Sequence, residues 1–428
     1  MMLVRLLSRL IAGWRTGLAR PVLILQAGNA INYFGYGLIL PFEIIYLTHV
    51  RGFAPSTAGL VLAATMATAA IATPPTGALL DRYSAKAIVV AGSVASALGY
   101  AGFAFVDQPW QAFVFSIIGG FGNGAAGTAN RMLVFRLVRP EQRAASVALA
   151  RVAGNFGLGA GATIAGFIVA YAQQLGAFQL LYFFDAVTFV LFALIVLGAV
   201  PVPNAVTVVT KTSGAGFLAV ARDRLFLTVI GANIVLIVVG HVFFSNILAP
   251  FASAHTPVGP EALGLIFLFN TSFVVIAQVP AVRVVVRMRR THAFAVASAL
   301  FAGGLLAVLP ATLIRSELAA TVLLAGVAVV FAIAECLHII VLGPLVADMA
   351  PAHLLGRYLS VLGLTFTISL ALGPAIGGLL LQTAPDAIWW GGALAAVLAG
   401  AVLLRLEGRI PDPLHEAPSH LASAPQAG

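Results

Sequence analysis

The chain has 428 residues, of which 61% are hydrophobic and only 9% are Asp, Glu, Lys or Arg. A soluble domain has about 45–50% apolar and about 25% charged residues, so this composition excludes a soluble globular enzyme. The net charge of +9 does not indicate a nucleic-acid-binding or disordered chain, because the basic residues lie singly between apolar stretches instead of forming one basic face. The sequence therefore predicts an integral membrane protein. Its only cysteine, Cys336, excludes a disulfide within the chain.

The first residues, 1–21, carry four arginines ahead of the first long apolar stretch. No small-residue cleavage site lies between them and that stretch. We expect a retained, amphipathic, cytosolic lead-in here and not a cleaved signal peptide.

Twelve apolar stretches follow, and each is long enough to cross a bilayer, which takes about 20 residues of helix. Short polar or proline-containing joints separate them. Because backbone groups cannot stay unpaired in lipid, each stretch is expected to be a helix. The predicted spans, numbered one to twelve, are 22–48, 56–80, 87–106, 110–135, 144–172, 178–199, 225–253, 261–282, 293–314, 317–347, 358–383 and 387–404.

The longest joint, 200–224, divides the spans six and six. It is predicted to be a cytosolic central loop between an N-terminal half, 22–199, and a C-terminal half, 225–407. A Pro, an Arg and a Ser recur in the same order near the start of span five and of span eleven. Weak symmetry between two halves is typical of transporters whose substrate site lies near the midplane. The remaining residues, 408–428, are polar and proline-rich, and they predict a disordered tail.

The basic residues indicate the orientation, since cytosolic joints collect Lys and Arg. Of the 23 Lys and Arg, all but Arg51, Arg151 and Arg315 fall on the termini, on the even-numbered joints or, for Arg131, near the cytosolic end of span four. The sequence therefore predicts a multi-pass protein of the cell membrane with both termini in the cytosol.

The joint between spans two and three contains Gly77, Asp81, Arg82 and Lys86. Their spacing is close to the G-x-L-x-D-R-x-G-x-K signature, with Ser84 in place of a glycine. On this motif the chain resembles the major facilitator superfamily, and specifically its twelve-span drug:proton antiporters. The resemblance implies an all-α fold of two pseudo-symmetric six-helix halves that works as a monomer. It also implies a conformational latch at the cytosolic rim, with Gly77 allowing two helices to approach closely.

A second motif lies in span eleven, where Gly373, Pro374, Gly377 and Gly378 match a G-P-x-x-G-G pattern. Small residues allow close helix packing, and a proline permits a bend. A degraded copy occupies 161–166 of span five. The arginine that the superfamily carries in span four is replaced here by Ser116, which argues against a proton relay through that span.

Ionisable residues inside spans are costly and therefore mark functional candidates. Glu335 lies deepest, near the middle of span ten, and His338 follows it by three residues. The stretch around Glu335 resembles the span-ten region of drug:proton antiporters with a buried glutamate. We therefore expect Glu335, with His338 in support, to couple transport to protons. His338 and His241 also fit simple polar contacts.

Three further ionisable residues leave alternatives open. Glu43, near the outer end of span one, either reaches towards water or attracts cations at the outer mouth. Arg151 in span five either binds an anionic substrate or pairs with a carboxylate such as Asp81. Asp185 lies in span six, which in this fold is usually a support helix, so a structural role is favoured.

Polar and aromatic residues on the inner spans are the candidates for a large, mostly apolar substrate cavity. These residues predict a secondary exporter of hydrophobic or amphipathic compounds that exchanges them for protons. The alternative is a proton-coupled transporter of one solute, such as a sugar, peptide or metabolite. We expect no catalytic residues, metal site or cofactor other than the proton, and no nucleic-acid partner; the partners are a small-molecule substrate and membrane lipids. The cavity candidates are Asn29, Asn32, Tyr33, Tyr36, Glu43, Arg151, Asn155, Phe156, Asn233, His241, Asn246 and Asn270.

Overall fold

The computed structural model describes residues 18–80, 82–138, 142–171, 175–200, 215–285, 287–351 and 354–410. Regular structure in these ranges is entirely helical. Eleven of the helices are long and apolar enough to cross a membrane, and a bent pair at the start supplies a twelfth span. The predicted all-α membrane fold is confirmed.

Most spans are single helices whose ends lie within a few residues of the predicted ones. Spans two to six are Pro55–Leu80, Ala85–Phe103, Pro109–Leu137, Arg143–Tyr171 and Leu175–Ala199. Spans eight to twelve are Pro260–Val285, Arg290–Val308 with a 3₁₀ turn at Leu309–Leu313, Glu317–Met349, Leu355–Thr383 and Ala387–Arg405.

Span one is bent. Its first helix, Arg20–Ile39, and its second part, Glu43–Val50, meet at an angle of 42°. Pro41 lies in the turn between them and has no N–H to continue the hydrogen-bond ladder. Glu43 therefore begins a new helical segment.

Span seven has a long irregular centre. It runs as an α-helix over Arg224–Leu236, as a π-helix over Ile237–Ile247, and again as an α-helix over Leu248–His255. π-Helical turns are rare and often lie at functional sites. His241 and Asn246 both belong to this π-segment.

The predicted central loop is partly helical. A short helix, Ala215–Arg222, precedes span seven, and Asp223 caps that span by accepting a hydrogen bond from the Phe226 N–H. Val220 of the short helix is buried beside Phe226 and Tyr358, so apolar burial stabilises this helix against spans seven and eleven. The predicted boundaries of the loop and halves stay predictions, because residues 201–214 lie outside the described part.

The spans pack in matching ways within each half. In the first half, span one packs on five, two on four, and three on four and six; in the second, seven packs on eleven, eight on ten, and nine on ten and twelve. Because short joints make successive spans antiparallel, span one begins and span twelve ends on the same side. We call this side the terminal face and the other side the opposite face.

The halves meet through two crossings, of span two with span eleven and of span five with span eight. Their closest points lie near the opposite face, where Gly378 meets Gly59 and Gly166 meets Gly264. The Ser56 N–H donates to Gln382 Oε1 at 3.3 Å on the same face. We call the two glycine pairs, Gly59–Gly378 and Gly166–Gly264, the glycine seams.

Candidate functional site

The two crossings between the halves, of span two with span eleven and of span five with span eight, become less tightly packed towards the terminal face. Span two is buried at Gly59 and Leu62, whereas residues 77–79 near its other end are exposed. Span five shows the same change, since Ala165 is buried but Phe156 is 70% exposed. The halves are therefore joined at the opposite face and separated towards the terminal face, which leaves a cleft between them.

A charged cluster lies in the middle of this cleft, and both halves contribute to it. His241 Nδ1 lies 3.6 Å from Glu335 Oε2, with 33% and 20% of the two side chains exposed. Arg151 of the first half is exposed, and its guanidinium lies within electrostatic range of Glu335 and His241. We call Arg151, His241 and Glu335 the central cluster. It joins three residues that sequence reasoning had singled out separately.

His338 has different neighbours. It is 4% exposed, and its ring packs edge-on against Phe294 at 5.5 Å and Phe301 at 6.2 Å between centroids. Its Nε2 has no hydrogen-bond partner among the described residues. The structure thus places His241, and not His338, at the Glu335 carboxylate.

Several predicted cavity residues hold helices together. Asn233 Nδ2 donates to Thr365 Oγ1 at 2.6 Å, and Asn270 Nδ2 donates to the Ala328 carbonyl at 3.0 Å. In the first half, the Thr188 hydroxyl donates to Asn32 Oδ1 at 3.3 Å. These contacts join helices within one half, so they fit packing better than substrate binding.

A second group of first-half amides and one hydroxyl forms a continuous network between spans one, four and five. Asn130 donates to Asn29 at 3.0 Å, and Asn29 donates to Gln26 at 3.2 Å. Gln26 in turn donates to the Ser146 hydroxyl at 3.3 Å. Of this network, sequence reasoning named only Asn29.

Other candidates lie apart from the central cluster. Tyr33 and Phe156 are exposed and Asn155 is half-buried, while Tyr36, Glu43 and Asn246 line a small cavity towards the opposite face.

The latch motif is only partly described, because Asp81 lies outside the described residues. Lys86 Nζ donates to the Leu197 and Val200 carbonyls, both at 2.8 Å, and so ties the start of span three to the end of span six. Arg82 is exposed. A Cβ on Gly77 would meet nothing within 4 Å. The expected close helix approach at Gly77 is therefore wrong for this conformation, since the halves are separated at this face.

The glycines of span eleven do mediate close packing. A Cβ on Gly373 would overlap Val242 and one on Gly377 would come within 2.5 Å of Ile247, both on span seven. One on Gly378 would overlap the Pro55 carbonyl across the seam. Pro374 lies inside an uninterrupted helix and is buried at the same seam.

Sequence reasoning missed a set of ion pairs at the terminal face of the second half. Arg290 pairs with Asp348, and Arg289 pairs with Glu407. His292 Nε2 lies 3.4 Å from Glu407 Oε2. The sequence could have predicted these pairs, because the charges lie at the ends of spans nine, ten and twelve, where ion pairs can join neighbouring helices.

The sequence profile of the Major Facilitator Superfamily matches residues 26–253 and 232–426. The chain belongs to this superfamily. Its members are membrane transporters, so the chain is a transporter of a cell membrane with a small-molecule substrate.

Two curated relatives carry the name multidrug resistance protein MdtH. The one from Yersinia enterocolitica is 26% identical over 200 residues, which cover 47% of this chain and 48% of the relative. The one from Shigella boydii is 30% identical over 152 residues, 36% of each protein. The aligned part thus spans about half or less of the length of these relatives.

Solved structures show the same fold. A D-xylose–proton symporter superimposes with a TM-score of 0.74 at 15% identity, over 91% of this chain and 97% of the symporter. A point mutant of the nucleoside transporter NupG gives a TM-score of 0.71 at 15% identity, over 90% of this chain and all of that one.

Proposed function

We propose that this transporter exports hydrophobic or amphipathic compounds in exchange for protons, by alternating access. The central cluster carries the proposal, because it places a carboxylate in a cleft between two halves that close at one face only. The likeness to two multidrug resistance proteins supports the substrate class. In the proposed orientation, the terminal face is cytosolic and the cleft is open to the cytosol.

Glu335 is the proposed coupling residue. A carboxylate can hold a proton or the cationic group of a substrate, but not both, and this competition links the two ligands. Open to the cytosol, Glu335 releases its proton and binds a substrate cation. Open to the outside, it takes up a proton and releases the substrate. His241 holds the carboxylate in place between these events.

Glu335→Gln tests this role. The amide has nearly the same volume but cannot exchange a proton, so vesicles containing the variant should lose accumulation of a fluorescent lipophilic monocation driven by a pH gradient. Binding of a neutral lipophilic compound should persist. Glu261→Gln, at the start of span eight, is the matched control and should keep wild-type transport. Wild-type accumulation by Glu335→Gln would place the coupling site elsewhere.

A second candidate function is transport of one specific charged solute. Arg151 favours it, because its guanidinium is exposed in the cleft and forms no ion pair with any described residue. An anionic group could bind there while a cationic group binds Glu335. Vesicle uptake of lipophilic monocations, neutral lipophiles, dianions, sugars, nucleosides and dipeptides distinguishes the two. Exclusive transport of dianions or of one polar solute would overturn the exporter proposal.

A further inference from the structure

A small, partly enclosed cavity lies between the halves near the opposite face, away from the central cluster. The volume of this cavity that a water-sized sphere can occupy is about 10 Å³. This is room for about one water molecule. Spans one, two and three line it from the first half, and spans seven and eleven from the second. The polar lining residues are Tyr36, Glu43, Thr65, Tyr100 and Asn246.

Glu43 is the acidic group in this lining. Its side chain belongs to the segment that begins after the bend of span one, and the residue is 7% exposed. Among the described residues, none donates a hydrogen bond to its carboxyl group or pairs with it. A buried carboxylate without a partner is costly in its charged form.

Asp185 of span six lies beside it. The residue is fully buried, and neither carboxyl oxygen has a hydrogen-bond partner among the described residues. A Cβ on Gly35 would lie 2.6 Å from Asp185 Oδ1, so a glycine is needed where span one passes this group. Asp185 and Glu43 lie within electrostatic range of each other.

The surroundings of the two carboxyl groups supply no positive charge in the described part of the chain. The facing titratable groups are the phenols Tyr36, Tyr100 and Tyr182, together with the two acids themselves. Spans two, seven and eleven present Thr65, Asn246 and Pro374, which are uncharged. Arg51, on the same face, pairs with Asp107 at 2.7 Å and with the Tyr46 hydroxyl at 2.8 Å.

We propose that Glu43, with Asp185 beside it, forms a second proton-binding site that must hold a proton for the opposite face to close. When spans seven and eleven withdraw from spans one and two, water enters the cavity and hydrates the carboxylate. Closure leaves room for about one water molecule at the carboxyl group, which hydrates the charge poorly and so favours the neutral acid. The proton enters and leaves from the opposite face, so the site senses pH there, whereas Glu335 exchanges the proton that moves with transport. The inference rests on the alternating access of the proposed function, but not on the role of Glu335.

The test measures closure directly. Spin labels at Ala54→Cys and Thr383→Cys, in a Cys336→Ala background, report the distance across the opposite face by pulsed electron resonance in lipid nanodiscs. Between about pH 5 and about pH 8 the closed-to-open ratio should fall about tenfold or more, as expected when one proton binds preferentially to one state. Glu43→Gln, which is neutral at every pH, should stay closed throughout. Glu261→Gln, on the same face, should follow the unsubstituted protein.

Two further variants, measured in the same way, separate the role of Glu43 from those of Asp185 and Glu335. Asp185→Asn should keep the pH dependence, because Glu43 is the residue that binds the proton; if it fails to fold, Glu43→Gln and its control still decide. Glu335→Gln should keep the pH dependence, so failure of the coupling role does not remove it. A ratio that ignores pH, a pH dependence retained by Glu43→Gln, or a response to NaCl at fixed pH would each overturn the inference.

Discussion

The Glu335 carboxylate has two candidate histidine partners, and the fold selects the one that is distant in sequence. His338 lies three residues further along span ten, where neighbouring turns bring side chains onto one helix face. The structure instead packs it between two phenylalanines and brings His241 to Glu335 from span seven. Helix periodicity predicts what shares a face, but a partner on another helix depends on packing that one sequence does not reveal.

This difference gives a paired prediction. His241→Asn removes the imidazole whose Nδ1 lies 3.6 Å from the Glu335 carboxylate, and two unit charges about 4 Å apart interact by about 4 kcal/mol where the effective dielectric constant is about 20. Gradient-driven transport should therefore fall by about tenfold or more. His338 is buried away from the cleft, so His338→Asn should keep transport near the wild-type rate in vesicles. Equal losses in both variants would contradict the assignment.

At the scale of elements, hydropathy predicted the number of spans and most of their ends, because crossing the bilayer fixes both length and composition. It did not predict the π-segment of span seven, which is as apolar as a regular helix. The sequence does contain a local cause of the bend in span one, which is Pro41. The consequence of the bend, that Glu43 lines a cavity between the halves, could not be predicted from the sequence alone.

The glycine seams are a second feature of elements, and they are related by the pseudo-symmetry of the halves. On one seam Gly378 lies against the Pro55 carbonyl and Gly59; on the other, Gly166 lies against the Pro260 carbonyl and Gly264. Each proline begins its helix, and each glycine follows four residues later. The repeated GAGATIAG and LGPAIGG segments therefore place their last glycines at equivalent crossings.

Substitution at a seam should open the opposite face. Valine at Gly378 would overlap the Pro55 carbonyl, so Gly378→Val should raise labelling of a cysteine at Thr57 by a water-soluble maleimide. Gly363→Val is the control on the same helix, because a Cβ there meets nothing within 4 Å. Unchanged labelling in Gly378→Val would show that the seam does not hold this face closed.

At the scale of the molecule, the charge distribution predicts which side faces the cytosol. The described basic residues of the even-numbered joints and the last helix lie on the terminal face, among them Arg82, Lys86, Arg290 and Arg405. Fusion of a fluorescent protein that fails to mature outside the cytosol, placed after Ile410, should therefore give fluorescent cells. The same fusion truncated after Pro385, which removes span twelve, should be dark. Reversed results would invert the proposed direction of transport.

Hydropathy, span length and the distribution of basic residues predict most of the fold, but they predict the candidate site only in part. Glu335, His241 and Arg151 could be named because charged and polar groups in a membrane are rare. Their assembly into one cluster could not, since it depends on how the two halves cross.

The π-segment of span seven has a mechanical consequence. It connects His241, which lies beside Glu335, to Asn246, which lines the small cavity, within a single run of i→i+5 turns. If one of these turns returned to the i→i+4 pattern, the twist and the rise of the segment would both change, so the α-helical part after it would rotate about the helix axis relative to the part before it. A change of winding in span seven would therefore turn Asn246 relative to His241, and this would link the state of the central carboxylate to closure at the opposite face.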